Sequence, residues 1–316
     1  MKHEKQFLKS LHDLRIKSRK DGIDDAEFES LLSEYRKEYK SRHRSGFNTW
    51  LRAAVVSMFV VFVTIGYCQS WFSEYECIID QNPFVQELAR PLSSCTGCTG
   101  FESVPVLRDI DPTEFMGKYA FSGLPVLIKG ATVNWTASDV FSYEFFKNLY
   151  NRRQEFLRVQ DEECQFFGYN TEFINLKEAF DMSPERVDRE AGEEPWYFGW
   201  SNCIVEISQT LKQYYQRPYF LPEDSESNQI DWIFMGVTGV GAPMHLDTVQ
   251  RPSWQAQVSG RKTWSLAPVP ECENICAEMK VTVETGDIIV LDTNRWYHST
   301  FIHPGKLSIT IGSEFD

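Results

Sequence analysis

The chain has 316 residues, enough for one globular domain of ordinary size with additional segments. Hydrophobic residues make up 42% and charged residues 24% of it, a balance that excludes a largely disordered protein. The net charge is −13, so the chain lacks the basic composition that a nucleic-acid partner would require, and no nucleic acid is expected.

The charge is unevenly distributed along the chain. Residues 1–52 contain 13 Lys/Arg and 9 Asp/Glu, a net charge of +4, whereas residues 69–316 contain 19 Lys/Arg and 36 Asp/Glu, a net charge of −17. This asymmetry predicts that the two parts lie in different surroundings. Residues 1–46 are predicted to form a charged cytosolic tail of two short helices, interrupted at Asp21-Gly22. Such a tail is either solvated on all sides or binds a partner.

Residues 47–73 are predicted to be a transmembrane signal anchor. No charged residue lies between Ala53 and Ser73, and this run would span about 30 Å as a helix, enough to cross a bilayer. Trp50 precedes the run and Tyr67 lies near its end, as aromatic residues do at membrane interfaces. The alternative is a buried core helix, but no amphipathic stripe is visible.

The flanking charges predict the orientation of this segment. Basic residues precede it, and the first charges after it are Glu74 and Glu76, so the positive-inside rule places the N-terminus in the cytosol. We therefore expect a single-pass type II membrane protein of the endoplasmic reticulum or Golgi, because a short apolar core suits thinner membranes. The C-terminal part would then be lumenal.

Two features of the C-terminal part suit an oxidising lumen. Asn134-Trp135-Thr136 is a glycosylation acceptor motif, and all eight cysteines lie in or beyond the apolar segment. Residues 74–100 are predicted to be a lumenal stalk, and its Cys95-Thr96-Gly97-Cys98 motif has the spacing of a redox pair or half a zinc site. With Cys272 and Cys276 further on, structural disulfides are favoured over both, and their pairing stays open.

From residue 101 to residue 316 the pattern predicts one globular domain. Helices are expected at 141–153 and 176–181. Short strands separated by Gly, Pro, Asn and Asp are expected at 104–106, 124–128, 196–200, 230–237, 253–260, 261–269, 279–286, 287–292 and 307–315. Many short strands at close spacing predict a mainly β fold, α+β overall, of the sandwich, barrel or jelly-roll type.

Two histidines and one aspartate in this β-rich part suggest a metal site. His245-Leu246-Asp247 follows the predicted strand 230–237, and residues i and i+2 of an extended chain point to the same side. His298 follows the predicted strand 287–292. Two histidines and a carboxylate can bind one face of a metal ion and leave adjacent positions open for a cosubstrate and O₂. Each motif is weak by itself, because an HxD sequence also arises by chance.

Lys262 adds a second element to this candidate site. It lies in the sequence Gly260-Arg261-Lys262-Thr263-Trp264, in an otherwise apolar and aromatic setting where a buried lysine is costly without an acidic partner. The far carboxylate of a dicarboxylate ligand would supply that partner. The alternative is that Lys262 points to solvent from the outer face.

The chain resembles the Jumonji C (JmjC) family, in particular its small protein-hydroxylase-type members. The resemblance rests on three motifs in this order: the HxD motif, Lys262 in GRKTW and His298 in GDIIVLDTNRWYH. The resemblance runs from about residue 101 to the C-terminus and is strongest over 195–316. It implies a double-stranded β-helix, which is a jelly-roll of cupin type, with flanking helices. It also implies an Fe(II)- and 2-oxoglutarate-dependent dioxygenase.

The resemblance further implies a role for each site residue. The metal ligands and catalytic centre would be His245, Asp247 and His298. Lys262, with Tyr197, would bind the far carboxylate of 2-oxoglutarate, and Gln255 would contact the cosubstrate where relatives often carry Asn. The implied reaction is hydroxylation or oxidative demethylation of a protein side chain. The charge of −17 favours a basic protein or peptide substrate, or else serves solubility.

Several positions depart from the family pattern. Ala242 stands where a Thr often touches the cosubstrate, Asp292-Thr293 replaces a Pro before the last histidine motif, and Ile302 stands where an Asn is common. These changes keep two alternatives open. One is a catalytically inactive scaffold of the endomembrane system. The other is a cupin-type metal enzyme that does not use 2-oxoglutarate, against which Lys262 argues.

Overall fold

A computed structural model describes residues 2–40, the positions 57–58, 60–61 and 63–64, and residues 90–316 except 170, 226–229 and 250. The chain divides into two compact units, Met1–Glu87 and Leu88–Asp316.

The described part of the first unit contains a helical hairpin. Helix α1 spans Lys2–Lys20 and α2 spans residues 25–40, as the sequence predicts. Gly22 has a φ of 85° in the turn between them, a backbone conformation that glycine adopts without steric cost. Across this turn, Arg15 and Arg19 form ion pairs with Asp25.

Most of the predicted anchor at 47–73, and residues 74–89 of the predicted stalk, lie outside the described residues. The six described positions between 57 and 64 are helical, and their side chains are exposed. Among the residues that the structure describes, no helix combines the length and the apolar character needed to cross a bilayer. Membrane insertion and its orientation therefore stay predictions.

Strands in the second unit form two sheets. The strands are β1 Val106–Leu107, β2 Val126–Ile128, β3 Phe166–Phe167, β4 Tyr197–Asn202, β5 Asp231–Gly236, β6 Ser253–Ser259, β7 Arg261–Pro268, β8 Met279–Glu284, β9 Ile288–Leu291, β10 Trp296–Ile302 and β11 Ser308–Glu314. The larger sheet has the order β1-β2-β9-β6-β11-β5-β4-β3 and the smaller has the order β10-β7-β8. All these pairings are antiparallel except β1 with β2.

Helices surround the larger sheet. They are α3 Pro112–Lys118, α4 Ala137–Val140, α5 Tyr143–Asn151, α6 Gln154–Glu163, α7 Leu176–Phe180, α8 Pro184–Val187 and α9 Val205–Leu211. The α5 helix shows why they form and where they pack. The Ser142 hydroxyl caps its first turn by accepting from Phe145 N–H, and the buried Tyr143, Phe146 and Tyr150 recur at helical spacing.

Two hydrophobic cores hold these layers together. The outer core lies between the helices and the larger sheet, where Trp254 of β6 packs edge-on against Trp135. The inner core lies between the two sheets and includes Ile289 from β9 and Trp264 and Leu266 from β7. The sheets therefore face each other around shared side chains. This architecture is α+β with a large sheet and is consistent with the predicted jelly-roll, cupin-like fold.

Disulfides and an ion pair fix the start of the second unit to its smaller sheet. The described disulfides are Cys95–Cys272, Cys98–Cys276 and Cys164–Cys203. The first two tie the CxxC motif to the connection between β7 and β8, which agrees with the expectation of structural disulfides. Beside them, Arg90 donates two hydrogen bonds of 2.6 Å to the carboxylate of Glu271. This pairing with Arg90 lowers the pKa of Glu271 to about 2.

Candidate metal centre

Two extended segments bring the predicted ligands together. Residues 239–245 run antiparallel beside β10, where His245 and His298 exchange both backbone hydrogen bonds, at 2.8 and 3.0 Å. His298 was expected after a strand, and it lies inside β10. Asp247 continues the same path, since its backbone N–H donates to Thr293 O at 3.1 Å. Hydrogen-bonded register therefore sets the two histidines directly opposite each other.

His245, Asp247 and His298 converge as predicted, with one possible ligand atom from each lying within 4.8 Å of the others. Asp247 Oδ1 is 3.3 Å from His245 Nε2, and Asp247 Oδ2 is 3.7 Å from His298 Nε2. Adjacent positions around an octahedral ion with bonds of about 2.1 Å are about 3 Å apart. Side-chain movements of less than about 1 Å would therefore close the three ligands around a common ion.

The second nitrogen of each imidazole ring fixes its tautomer. His245 Nδ1 lies 2.7 Å from Pro243 O, and His298 Nδ1 lies 3.1 Å from Trp296 O. A carbonyl oxygen can only accept, so Nδ1 carries the hydrogen in both rings and Nε2 keeps its lone pair. Both lone pairs are on the nitrogen nearest to Asp247. This is the arrangement by which proteins orient histidine for metal binding.

Burial and charge set the protonation of the triad. Burial lowers the pKa of His298, which is 4% exposed, to about 4, so its ring is neutral at physiological pH. Burial acts to lower the pKa of His245 as well, but the hydrogen bond and charge of Asp247 outweigh it and raise that pKa. Burial acts to raise the pKa of Asp247, but the interactions with His245 and His298 outweigh it and lower that pKa. The carboxylate is therefore ionised. The donor set of two imidazoles and one carboxylate suits a divalent transition metal.

Lys262 is buried inside the barrel, so the alternative that it points to solvent is wrong. Its side chain is 1% exposed and lies among the rings of Tyr197, Phe234 and Trp264, with Nζ 5.5 to 5.8 Å from the ring centroids. Its hydrogen-bond partner is the Tyr197 hydroxyl at 3.4 Å, and burial lowers its pKa to about 7. Burial also raises the pKa of Tyr197, which therefore stays neutral and supplies no counter-charge.

Shared aromatic neighbours connect Lys262 to the triad. Trp264 contacts Lys262 and also stacks on His298, with ring centroids 5.6 Å apart. On the other side, Tyr169 lies 5.6 Å from the ring of His245 and 5.6 Å from the ring of Tyr197. Lys262 and the metal ligands therefore line one continuous site. Tyr169 cannot be found from the sequence motifs, because it lies in a loop far from them and carries no spacing signal.

Gln255 is also buried, on the central strand β6 of the larger sheet. It lies on β6 against Gly312, where an added Cβ would come within 2.5 Å of Gln255 Cδ. Its Oε1 has no hydrogen-bond partner among the described residues. The predicted contact of Gln255 with a cosubstrate stays a prediction.

Thr300, which the sequence does not single out, is buried on β10 two residues beyond His298. Thr300 Oγ1 accepts a hydrogen bond of 2.9 Å from the backbone N–H of Ala242 and also hydrogen-bonds to the hydroxyl of Tyr197. Ala242, Ile302 and Tyr197 form a small buried apolar cluster beside it. Ala242 and Ile302, two positions that depart from the family pattern, are thus neighbours in space. The Thr300 hydroxyl lies next to them.

The fold and the triad define a class, that of a two-sheet β protein with a candidate facial metal site. Comparison with known proteins adds its relatives. No family profile matches the chain. It is 25% identical over 173 residues to the arginine-specific demethylase JMJ22 of Arabidopsis thaliana, covering 53% of this chain and 31% of that protein. It is 26% identical over 164 residues to the bifunctional arginine demethylase and lysyl-hydroxylase psr-1 of Caenorhabditis elegans, covering 49% and 38%.

The chain thus spans less than two fifths of the length of these two relatives. Among solved structures, YcfD, a ribosomal oxygenase from Escherichia coli, is 17% identical and covers 68% of this chain and 53% of its own, with a TM-score of 0.44. The relatives confirm the relationship that the motifs predict. The chain is thus similar in sequence to JmjC-type arginine demethylases and lysyl-hydroxylases.

Proposed function

We propose that this protein is an Fe(II)- and 2-oxoglutarate-dependent oxygenase of the double-stranded β-helix type that acts on a protein side chain. The observation that carries the proposal is Lys262, a buried cation with no acidic partner among the described residues, in the same pocket as the His-Asp-His triad. An isolated buried charge is costly, so a pocket that keeps one is suited to an anionic ligand. A dicarboxylate that also chelates a metal meets both requirements.

Different residues would bind the metal and the cosubstrate. His245, Asp247 and His298 would hold Fe(II), which when bound supplies the activation of O₂ for insertion of an oxygen atom into a C–H bond. Lys262 would neutralise the far carboxylate of 2-oxoglutarate, and the neutral Tyr197 hydroxyl would orient it. Tyr169 and Trp264 would exclude water from the space between. The products would be an oxidised substrate, succinate and CO₂.

The substrate class follows from charge and from the relatives. JMJ22 and psr-1 are named for reactions on arginine and lysine. The net charge of −17 over residues 69–316 would attract basic segments. Hydroxylation or oxidative demethylation of Lys- or Arg-containing proteins is therefore the reaction that these features favour.

The turnover experiment uses the full chain with Fe(II), ascorbate, 2-oxoglutarate and a lumenal protein extract. We expect succinate, together with peptides heavier by one oxygen atom, or peptides in which a methyl group is replaced by hydrogen and released as formaldehyde. Asp247→Ala should abolish both, while Lys280→Met, a change at an exposed lysine on β8, should leave them unchanged. If succinate never exceeds the Asp247→Ala background, the enzymatic proposal fails.

The lumenal location is part of the proposal. It is supported by the charge asymmetry around residues 53–73, by three disulfides, and by Asn134, which is exposed in a turn. We propose a single-pass type II protein of the endoplasmic reticulum or Golgi, with residues 47–73 as the anchor. Glycosidase treatment of the expressed chain should increase its gel mobility, and Asn134→Gln should remove that shift. A chain without any shift whose C-terminal part is open to protease in intact microsomes would contradict this location.

One observation favours a second function, that of an inactive scaffold. Ala242 and Ile302, in the buried cluster with Tyr197, bring no side-chain hydrogen-bond donor to a cosubstrate. If the chain is a scaffold, Asp247→Ala should leave its cellular phenotype intact. Loss of the phenotype in that variant, with normal protein levels, would reject the scaffold function.

A further inference from the structure

The helical hairpin of the first unit carries an open apolar groove. The groove has a volume of about 530 Å³ and is lined mainly by Leu11, Leu14, Phe28, Leu31, Leu32 and Tyr35. Leu14 is 57%, Leu31 53% and Tyr35 68% exposed. Leu, Phe and Tyr at these positions come from both α1 and α2, so the groove runs along the seam where the two helices meet.

This apolar surface is large for so small a unit. Two helices of this size bury too little surface to be stable without further contacts, and chains of about 40 residues usually depend on disulfides, metals or oligomerisation. The first cysteine of the chain is Cys68, so residues 1–46 hold none. The described residues of the hairpin also contain no candidate metal cluster. Contact with another chain can supply the burial that the described residues of the hairpin do not supply themselves.

The net charges of the two helices favour a second copy as the occupant, beyond the pairs that Arg15 and Arg19 form with Asp25 within one hairpin. Helix α1 has seven Lys/Arg and two Asp/Glu, a net charge of +5, whereas residues 25–40 have three Lys/Arg and five Asp/Glu, a net charge of −2. In a two-fold arrangement, α1 of one copy can lie against α2 of its partner at both interfaces. Opposite net charges then meet twice, and the interface is self-complementary.

We propose that the N-terminal hairpin is a homodimerisation element, in which the groove of one copy packs on the groove of a second copy to form a four-helix bundle. Burial of Leu14, Leu31 and Tyr35 at the centre of the bundle stabilises it. The charges on α1 and α2 set the pairing. This inference concerns the tail alone and does not depend on the proposed oxygenase activity.

Cross-linking of the full chain tests this directly, because residues 1–46 offer no competing thiol. Ser18 lines the groove and is half-buried, whereas Ser33 is exposed on α2 outside it. Ser18→Cys and Ser33→Cys are treated with a short bis-maleimide, with the unsubstituted chain as background. Cross-linked peptides are identified by mass spectrometry.

We expect a linked pair of residue-18 peptides from two copies, at a yield at least about tenfold above that of Ser33→Cys. In the Ser18→Cys background, Leu31→Asn should remove the link and Leu31→Met should retain it, which separates loss of the interface from an unrelated loss of folding. Equal yields at the two positions, no residue-18 pair, or a residue-18 link to a different protein or to lipid would each overturn the proposal.

Discussion

Replacing the buried lysine should stabilise the ligand-free protein while it abolishes cosubstrate binding. Lys262→Met keeps the length of the side chain and removes the charge that lies among Tyr197, Phe234 and Trp264. In the ligand-free state, this charge is 1% exposed and has only a neutral hydroxyl as its partner among the described residues. Folding must therefore desolvate it without compensation.

The magnitude follows from its pKa. Burial lowers the pKa of Lys262 to about 7, against 10.5 for an ordinary lysine, a difference worth about 5 kcal/mol. Because the folded state binds the proton less tightly than the unfolded state, the cost is complete below about pH 7. It fades as the pH rises from about 7 to about 10.5. Wild-type stability should therefore rise over this range, and Lys262→Met should gain about 5 kcal/mol at about pH 6 but only about 2 kcal/mol at about pH 9.

Thermal unfolding of the full chain at the two pH values provides the assay. For a domain of this size, about 5 kcal/mol corresponds to a rise in Tm of about 10 °C or more. Lys280→Met removes the same formal charge from an exposed position on β8 and should change Tm little at either pH. An unchanged or lowered Tm for Lys262→Met at about pH 6 would refute the reasoning, since it would mean that Lys262 already has a counter-charge in the folded protein.

Four further outcomes are expected. Asp247→Asn should weaken Fe(II) or Mn(II) binding about 100-fold or more by calorimetry, and unchanged affinity would remove Asp247 from the metal site. Thr300→Val should weaken 2-oxoglutarate binding about tenfold through loss of the hydrogen bonds of Thr300. Thr263→Val is the control, because Thr263 lies on the face of β7 opposite to Lys262, and it should not weaken binding. Equal effects of the two changes would assign Thr300 a structural role only. Tyr169→Ala should open His245 to solvent and weaken metal binding several-fold, and unaltered affinity would contradict that shielding role. The pKa of Glu271 is about 2 when folded, so its ion pair with Arg90 should lose its stabilising effect as the pH drops from about 4.5 to about 2, and Glu271→Gln should show a smaller fall in Tm over this range than the wild type.

The sequence predicts the metal triad because its signals are local or rare. His245 and Asp247 are two residues apart on an extended segment, and the part of the chain beyond the apolar segment has only three histidines. Lys262 stands out because a charge within an aromatic strand conflicts with the surrounding pattern. The strands around these residues were predicted to within a few positions for the same reason, since alternation is visible within each strand.

Other features depend on register between distant strands, which a single sequence does not show. Thr300 reaches Ala242 and Tyr197 only because β10 pairs with residues 239–245. The sequence of β10 was treated as a motif rather than as a strand. The α6 helix was missed because its sequence QEFLRVQDEE is mostly polar and buries only Phe156 and Gln160.

Cysteine pairing likewise depends on contacts between distant parts of the chain, which a single sequence does not show. The disulfides Cys95–Cys272 and Cys98–Cys276 join residues 177 and 178 positions apart in the chain. Spacing within CxxC gives no information about such partners. The fold brings them together when residues 90–98 lie on the connection between β7 and β8, a contact that also involves Arg90 and Glu271.

The central claim is that a metal on the triad and a carboxylate at Lys262 belong to one ligand site. Anaerobic calorimetry of 2-oxoglutarate binding to the full chain tests it, with and without Fe(II), in the wild type and in Lys262→Met. The account predicts tight binding only when both the metal and Lys262 are present, and losses of at least about tenfold when either is removed. Equal 2-oxoglutarate affinity in all four states would show that the triad and Lys262 do not share a ligand.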